Sequence, residues 1–510
     1  TISMASLLQS LRSCSAVAAL QRPRSASWST RVADGRFQQA SAAILRQRIP
    51  QLRVPLSGPC TRAAASSQET VVVEGELQAS GNVVQILRER GLVQDVTGDG
   101  LERLASESRV SVYCGFDPTA DSLHLGNLLG IIVLSWFQRC GHTPVALVGG
   151  ATGRVGDPSG KSAERPVLSE ETIEGNVRGI AATLERLLKA GDSKPMIVNN
   201  LEWYSGMSFL DFLRDVGKHA RVGAMLAKDS VKTRFNSDTG ISFTEFTYQL
   251  LQGYDFLHLL RSHGVQVQVG GSDQWGNITA GTELIRKILG GSGDEGDAKG
   301  PAECYGLTFP LLLDSNGKKF GKSEGGVMWL SADKMSPYRF YQYLFATEDA
   351  DVIKFMRMLT FLPLEEIAAL ESAMSEEGYI PNTAQRRLAE EVTRFVHGER
   401  GLEVALKATA GLAPGSSTPL DAETLDAIAG DIPSAALPRD SVLGRSLTEV
   451  MAVAGLQKSK SEARRTIKGG GCRVNNEKVL DEERLIAEAD LLDGRLLLLA
   501  AGKKNKMLVR

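Results

Sequence analysis

At 510 residues, with 42% hydrophobic and 23% charged content, the chain has the make-up of a globular protein of several domains. A net charge of −2 excludes a protein that is basic throughout while leaving room for local basic patches, and no apolar run reaches the roughly 18 residues that span a bilayer. The six cysteines (Cys14, Cys60, Cys114, Cys140, Cys304 and Cys472) form no C-x-x-C pair, which speaks against a disulfide framework and against a protein-held zinc.

Residues 1–75 differ from everything after them. They carry Arg12, Arg22, Arg24, Arg31, Arg36, Arg46, Arg48, Arg53 and Arg62 with abundant Ser and Ala, no lysine, and Asp34 as the sole acid before Glu69. This is the composition of an organellar transit peptide, bound for mitochondrion or chloroplast and outside the fold. The alternative is a disordered basic arm that binds nucleic acid.

From 76 to 336 strand and helix patterns alternate, as in a Rossmann-like, mostly parallel α/β sheet. A short helix is expected at 83–90 with Asn82 as its N-cap. The alternation at 110–115 predicts a strand, and Asp117 to Ser122 is turn chemistry ending in an N-cap candidate. The apolar run from His124 through Phe137 predicts a buried helix stopped by Gly141. HLGN (124–127) thus opens a helix, where free N–H groups and the positive dipole end favour an anionic phosphate. Strands at Thr143–Val148, Met196–Asn199 and 265–269 alternate with helices at 170–190, 242–262 and 273–289. GGSGDEGDAKG (290–300) reads as a flexible acidic insert. A segment at 307–313 then leads through an Asn316-Gly317 turn to KKFGKSEGG.

GDPSGKS (156–162) ends like a phosphate-binding P-loop, but only Asp157, Pro158 and Ser159 separate its glycines, one residue short of that motif. In FTEFTYQLLQGYDFLHLL, Tyr248, Gln252 and Asp255 are spaced i, i+4, i+7 and share one helix face. Either this stripe meets solvent or, if buried, its phenol, amide and carboxylate need partners. A small zwitterionic ligand supplies them, with a hydroxyl on Asp255 and an ammonium on Tyr248 and Gln252.

Beyond 336 the pattern turns helical. Helices are expected at Pro337–Phe345, 351–359, 364–375 and 383–398, making 337–412 an all-helical domain, and 413–440 reads as a linker opened by APGSS. The segment 441–510 reads as a small α+β domain with helices at 446–454 and 461–468 and a strand at Cys472–Val474. Lys458, Lys460, Arg464, Arg465, Lys468 and Arg473 fall close together there, the footprint of a phosphate backbone. The alternative is a solvated charged helix face.

YCGFDPTADSLHLGN, GDPSG, YQLLQGYDF, GGSDQWGN and KFGKS, in that order, resemble the bacterial-type tyrosyl-tRNA synthetases over roughly 78–510. HLGN stands where class I synthetases carry HIGH, and KFGKS (319–323) where they carry KMSKS. In that family the helical region contacts the anticodon, unless here it is only structural. SLTEVMAVAGLQKSKSEARRTIKGGGCRVNNEKV resembles an S4-type RNA-binding domain, which reads RNA shape and backbone rather than base sequence.

The resemblance implies a two-step ligase using ATP. Tyrosine carboxylate attacks the α-phosphate to give tyrosyl-adenylate and pyrophosphate, and the 3′-terminal ribose of tRNA(Tyr) then takes the tyrosyl group. The carboxylate is already ionised, so catalysis is positioning plus stabilisation of charge on the leaving phosphates. Thr119, His124 and Asn127 would act there, with Lys319, Lys322 and Ser323 on a mobile glycine-bearing loop. Tyr113 and Asp255 would bond the substrate phenol, and Asp157, Tyr248 and Gln252 its ammonium, with Gln274 near its carboxylate. A pocket that pairs a hydroxyl rejects the analogue lacking it.

ATP would meet Cys114, Gly115, Asp117, Gly126, Gly271, Asp273 and Lys322, with Asp273 and Cys114 at the ribose. On composition alone Cys114 reads as a small buried hydrophobe. Mg²⁺ would accompany ATP without an all-protein cage. Asn127 departs from the family's final histidine; its amide still donates, but an imidazole role is lost. A homodimer through the catalytic domain is carried over from the family, and the arginine-rich first segment predicts a location in the soluble matrix or stroma. A tryptophan-specific sister enzyme shares the sheet and loops, yet Tyr113 with Asp255 reads as a phenol-recognising pair. A non-catalytic RNA-binding or splicing factor derived from a synthetase is the other alternative. The intact set of His124, Lys319, Lys322, Asp157 and Gln252 argues against it.

Overall fold

The computed structural model describes residues 81–510 apart from Ser162, Val167, 190–192, 291–302, 324 and 325. The arginine-rich segment 1–75 and nearly all of the insert 290–300 lie outside the described residues.

The described residues start with α1 (Val83–Glu89), where Asn82 accepts from the N–H groups of Val84 and Gln85 as its sequence dictates. There follow β1 (Asp95–Val96), α2 (Gly100–Glu107), β2 (Ser111–Phe116), α3 (Leu125–Arg139), β3 (Thr143–Val148), α4 (Glu170–Leu187) and β4 (Met196–Asn199). Four short helices, α5 (Leu201–Tyr204), α6 (Phe209–Asp215), α7 (Val222–Leu226) and α8 (Asp229–Phe235), lead to α9 (Phe243–His263). Then come β5 (Val265–Gly271), α10 (Trp275–Leu289) and β6 (Tyr305–Phe309).

The sheet order is β1-β6-β5-β2-β3-β4, and every neighbouring pair is parallel except β1 with β6. The chain winds outward from β2 through β3 to β4, then crosses back to lay β5 on the other side of β2. That reversal opens a crevice at the C-terminal ends of β2 and β5, where open α/β sheets bind their ligands. On one face of the sheet, α3 is buried almost all round, with Leu128, Ile131, Ile132 and Phe137 inaccessible to water, which is why its sequence shows no polar stripe. On the other, α9 is closed at its start by a Ser242–Glu245 capping box and at its end by Gly264 in the left-handed region. Glu245 also holds Arg234 in a buried ion pair of 2.8 Å.

A small hairpin, β7 (Lys322–Ser323) with β8 (Gly326–Val327), precedes α11 (Pro337–Phe345), α12 (Asp349–Leu359), α13 (Leu364–Ala373) and α14 (Thr383–Leu412). The apolar core runs without a break from α3 into these helices; Trp136, for example, meets Phe361 at 5.2 Å. Helix α14 does not end near 398. Gly398 takes φ 72 and ψ 177, a conformation open to glycine, so the helix kinks and resumes to Leu412.

The chain closes with α15 (Ala422–Ala427), β9 (Ser434–Ala435), α16 (Leu447–Val453), α17 (Lys460–Lys468) and β10 (Cys472–Val474). After them come β11 (Glu477–Val479), β12 (Leu497–Ala501) and β13 (Asn505–Val509). The stretch 413–440 is therefore not a linker throughout. Asp421 caps α15, β9 pairs in parallel with β13, and Leu425 and Ile428 pack on Leu496, Leu498 and Leu508. Its few apolar residues have partners far along the chain, so no local periodicity announces them.

Candidate active site

A cavity of about 340 Å³ occupies the crevice between β2 and β5, within the range of small-molecule sites. Its wall includes Tyr113, Cys114, Gly115, Asp117, Thr119, His124, Gly126, Asn127, Asp157, Tyr248, Gln252, Asp255, Gly271, Asp273, Gln274 and Lys319. The fold thus brings to one place residues from two strands, two helices, the turn at 272–274 and neighbouring loops. The Lys322 and Ser323 side chains lie outside the described residues; their backbone forms β7.

At the deep end, Tyr113 projects from the middle of β2. Its hydroxyl is buried without a hydrogen-bond partner among the described residues, and so is Oε1 of Gln268, its register neighbour on β5. Asp255, on α9, accepts from Trp203 Nε1 at 2.9 Å and from Asn200 Nδ2 at 3.1 Å. Burial pushes its carboxyl up to about 7, against the pull of those donors. Burial, then the nearby Asp255 charge, raises the Tyr113 phenol well above its ordinary value, leaving it a neutral donor. A ligand hydroxyl reaching this end can donate to Asp255 and accept from Tyr113.

Further out, two polar networks hold the site's geometry. Tyr248 Oη and Thr152 Oγ1 both donate to Asp117 at 2.8 Å, and Asn200 Nδ2 bridges Thr152 Oγ1, at 3.0 Å, to Asp255. Burial, then the charge of Asp157, brings Asp117 up to about 6. The Tyr248 proton is thus engaged with Asp117, and its oxygen lone pairs remain for an ammonium. In the second network Asp157 accepts from Gln274 Nε2 at 2.7 Å, from the Ser159 N–H at 2.9 Å and from Asn277 Nδ2 at 3.3 Å. Gln274, expected beside a substrate carboxylate, here donates to Asp157. Thr152, Asn200, Trp203, Ser159 and Asn277 were not singled out from sequence. The one available signal was Asn199-Asn200 at the C-terminal end of a strand, on the ligand-binding side of the sheet.

The N-cap of α3 is His124, not Ser122. The His124 N–H donates to Asn127 Oδ1 at 3.1 Å while the Asn127 N–H donates to the His124 carbonyl at 2.8 Å. Asparagine at the last place of HLGN is therefore a cap partner, with its amide NH₂ left to donate. A Cβ at Gly126 would stand 3.0 Å from the His124 ring, and one at Gly271 would stand 2.7 Å from Asp273 Oδ1. Asp273 is raised by burial first and by Asp157 next, with Lys319 opposing. Burial pushes the Cys114 thiol up to about 12, so it is a packing group rather than a nucleophile. Among the described residues no group of three or more His, Cys, Asp or Glu is placed to hold a metal ion.

A family model described as tRNA synthetases class I (W and Y) matches residues 105–412, and one described as tyrosine–tRNA ligase SYY-like C-terminal domain matches 424–509. The chain is 56% identical over 457 residues to the chloroplastic/mitochondrial tyrosine–tRNA ligase of Arabidopsis thaliana, covering 88% of this chain and 87% of that one. The chain belongs to the tyrosine–tRNA ligase family. Identity to the tyrosine–tRNA ligase of Protochlamydia amoebophila is likewise 56%, over 84% of this chain and 99% of that one. Among solved structures, a C-terminally truncated mitochondrial tyrosyl-tRNA synthetase of Aspergillus nidulans superposes with a TM-score of 0.57 at 34% identity, covering 64% of this chain and 92% of that one.

This ligase carries its second group of singled-out residues on α17 and around it. Ala463 and Ile467 face the core while Arg464, Arg465 and Lys468 share the exposed face, with Lys458 and Lys460 exposed at the helix start. Acidic neighbours dilute the patch: Arg464 pairs with Glu483 at 3.2 Å and Glu482 at 3.6 Å, and Lys460 with Glu449 at 3.3 Å. Arg473 is partly withdrawn, donating to the Asn476 carbonyl.

Proposed function

We propose that this chain activates L-tyrosine with ATP and transfers the tyrosyl group to the 3′ end of tRNA(Tyr) for organellar protein synthesis. The observation that carries the reading is the buried, unpartnered Tyr113 hydroxyl in the same cavity as Asp255. A phenol both donates and accepts, and so satisfies the two. An indole N–H donates only and would leave the Tyr113 hydroxyl without an acceptor.

The ammonium then falls to Asp157, Gln252 and the Tyr248 oxygen, which turns the tyrosine carboxylate toward the nucleotide end. ATP enters as its magnesium complex, with the ribose at Asp273 and Cys114 and room for close approach at Gly126 and Gly271. As the α-phosphorus is attacked, charge passes to the departing pyrophosphate. Thr119, His124, Lys319, Lys322 and Ser323 stabilise it there, and no general base is required. In pyrophosphate exchange, tyrosine is expected to support turnover far better than tryptophan or phenylalanine; comparable exchange with tryptophan overturns the reading.

The arginine-rich leader supports organellar delivery, as does the chloroplastic/mitochondrial name carried by the Arabidopsis relative. Exposed Phe209 and Leu210 on α6, Val222 on α7, Phe235 on α8 and Phe243 on α9 support a homodimer through the catalytic region. Sedimentation at twice the chain mass is the expected result, and a monomer at micromolar concentration refutes it.

A further inference from the structure

The signature loop is tied to the helical region by one hydroxyl. Gly321 lies between Lys319 and Lys322 and takes φ +91, and its N–H donates to Tyr343 Oη of α11 at 2.8 Å. Its carbonyl accepts from the Met328 N–H at 3.0 Å, and the Met328 carbonyl accepts from the Leu125 N–H, in the first turn of α3, at 2.8 Å. Three bonds in series therefore run from α11 through the loop to the helix start that carries His124. The preceding Phe320 is clamped as well, its ring 5.0 Å from Tyr343 and 4.2 Å from Phe355. Gly321 itself is buried, and a Cβ on it would stand 3.0 Å from Leu125 Cβ. There is no slack on that side.

We propose that Tyr343 is a positioning residue for tyrosine activation. Its hydroxyl pins the peptide of Gly321, and so sets the direction in which the backbone bearing Lys319 and Lys322 leaves the α3 start. The inference rests on assigning Lys319 to the leaving phosphates. Tyr343 touches neither substrate in that arrangement; it acts through the loop. Because α11 packs along α14, the same bond joins the helical region to the end of the cavity where charge develops.

Tyr343→Phe keeps the ring stack and removes only the hydroxyl. One backbone hydrogen bond lost at a buried glycine corresponds to about a three- to tenfold fall in kcat for pyrophosphate exchange, counted per active site by adenylate burst. KM for tyrosine, whose pocket lies at the other end of the cavity, is expected to stay within twofold, and the thermal midpoint to move by no more than about 4 °C. Unchanged exchange kinetics in Tyr343→Phe, with Lys319→Ala impaired, overturns the inference alone. An equal loss of activity with tyrosine, with ATP and in thermal midpoint also overturns it, as it marks a purely structural bond. If Lys319→Ala leaves exchange intact, the phosphate assignment fails and this inference fails with it.

Discussion

Asp255→Asn is expected to lower kcat/KM for tyrosine in pyrophosphate exchange by on the order of 100-fold, the equivalent of about 3 kcal/mol. Two effects combine. The substrate phenol loses a charged acceptor in a site closed to water, and the new amide turns an N–H toward Trp203 Nε1 or Asn200 Nδ2, both of which already donate there. Phenylalanine, which never used the acceptor, should lose far less, so the preference for tyrosine narrows. KM for ATP should hardly move. A variant that keeps its tyrosine preference intact would remove Asp255 from the specificity pair.

The same residue gives the activity a pH dependence with a definite sign. Burial raises Asp255 to about 7 and Asp117 to about 6, so in the free protein both are increasingly protonated as pH falls. A protonated Asp255 no longer offers the phenol a carboxylate, and kcat/KM for tyrosine should decline below about pH 7. The limb in kcat should lie lower, because a bound phenol donating to Asp255 favours its charged form. For stability the sign is opposite. Folded values above the unfolded ones mean that these groups favour the fold most at low pH, and that contribution is lost as pH rises through about 6 and 7. Asp255→Asn should abolish its share of both trends.

How much of this was legible beforehand follows from the range of the interactions involved. The strand and helix flanking HLGN are written in local periodicity, and β2 and α3 lie where that pattern put them. The stripe of Tyr248, Gln252 and Asp255 was readable because helical spacing alone puts three residues on one face, and that face lines the cavity. His124 was readable as a cap only as the bland alternative: histidine is an uncommon N-cap, and its backbone N–H donates to Asn127 Oδ1 at a place where the capping box ordinarily uses Glu or Gln. Asn200 and Trp203 are silent for a different reason. Their importance arises only when β4 is laid beside β3 and the turn after it reaches α9, a juxtaposition set by sheet order. The segment containing α15 and β9 was unreadable on similar grounds, since its partner strand β13 is the last in the chain.

A second large effect is expected at the other end of the molecule and on the other half-reaction. Arg464→Ala with Arg465→Ala should raise KM for tRNA about tenfold or more at moderate salt while leaving pyrophosphate exchange within twofold. The two arginines belong to the exposed face of α17, whose opposite face is fixed by Ala463 and Ile467, so their truncation does not touch a core. They are not equivalent, however. Arg464 is already drawn toward Glu482 and Glu483, and releasing it onto a phosphate means giving up those pairs. The larger share of the loss should therefore come from Arg465, and Arg464→Ala alone should be mild. Each phosphate contact removed flattens the dependence of log KM for tRNA on log salt by about one unit. The Arg465→Ala line should then be shallower than that of the parent, and Arg464→Ala should stay close to the parent. Equal damage to exchange and charging would instead mean that α17 supports the fold of the whole ligase, and the division of labour between the cavity and the basic face would not hold.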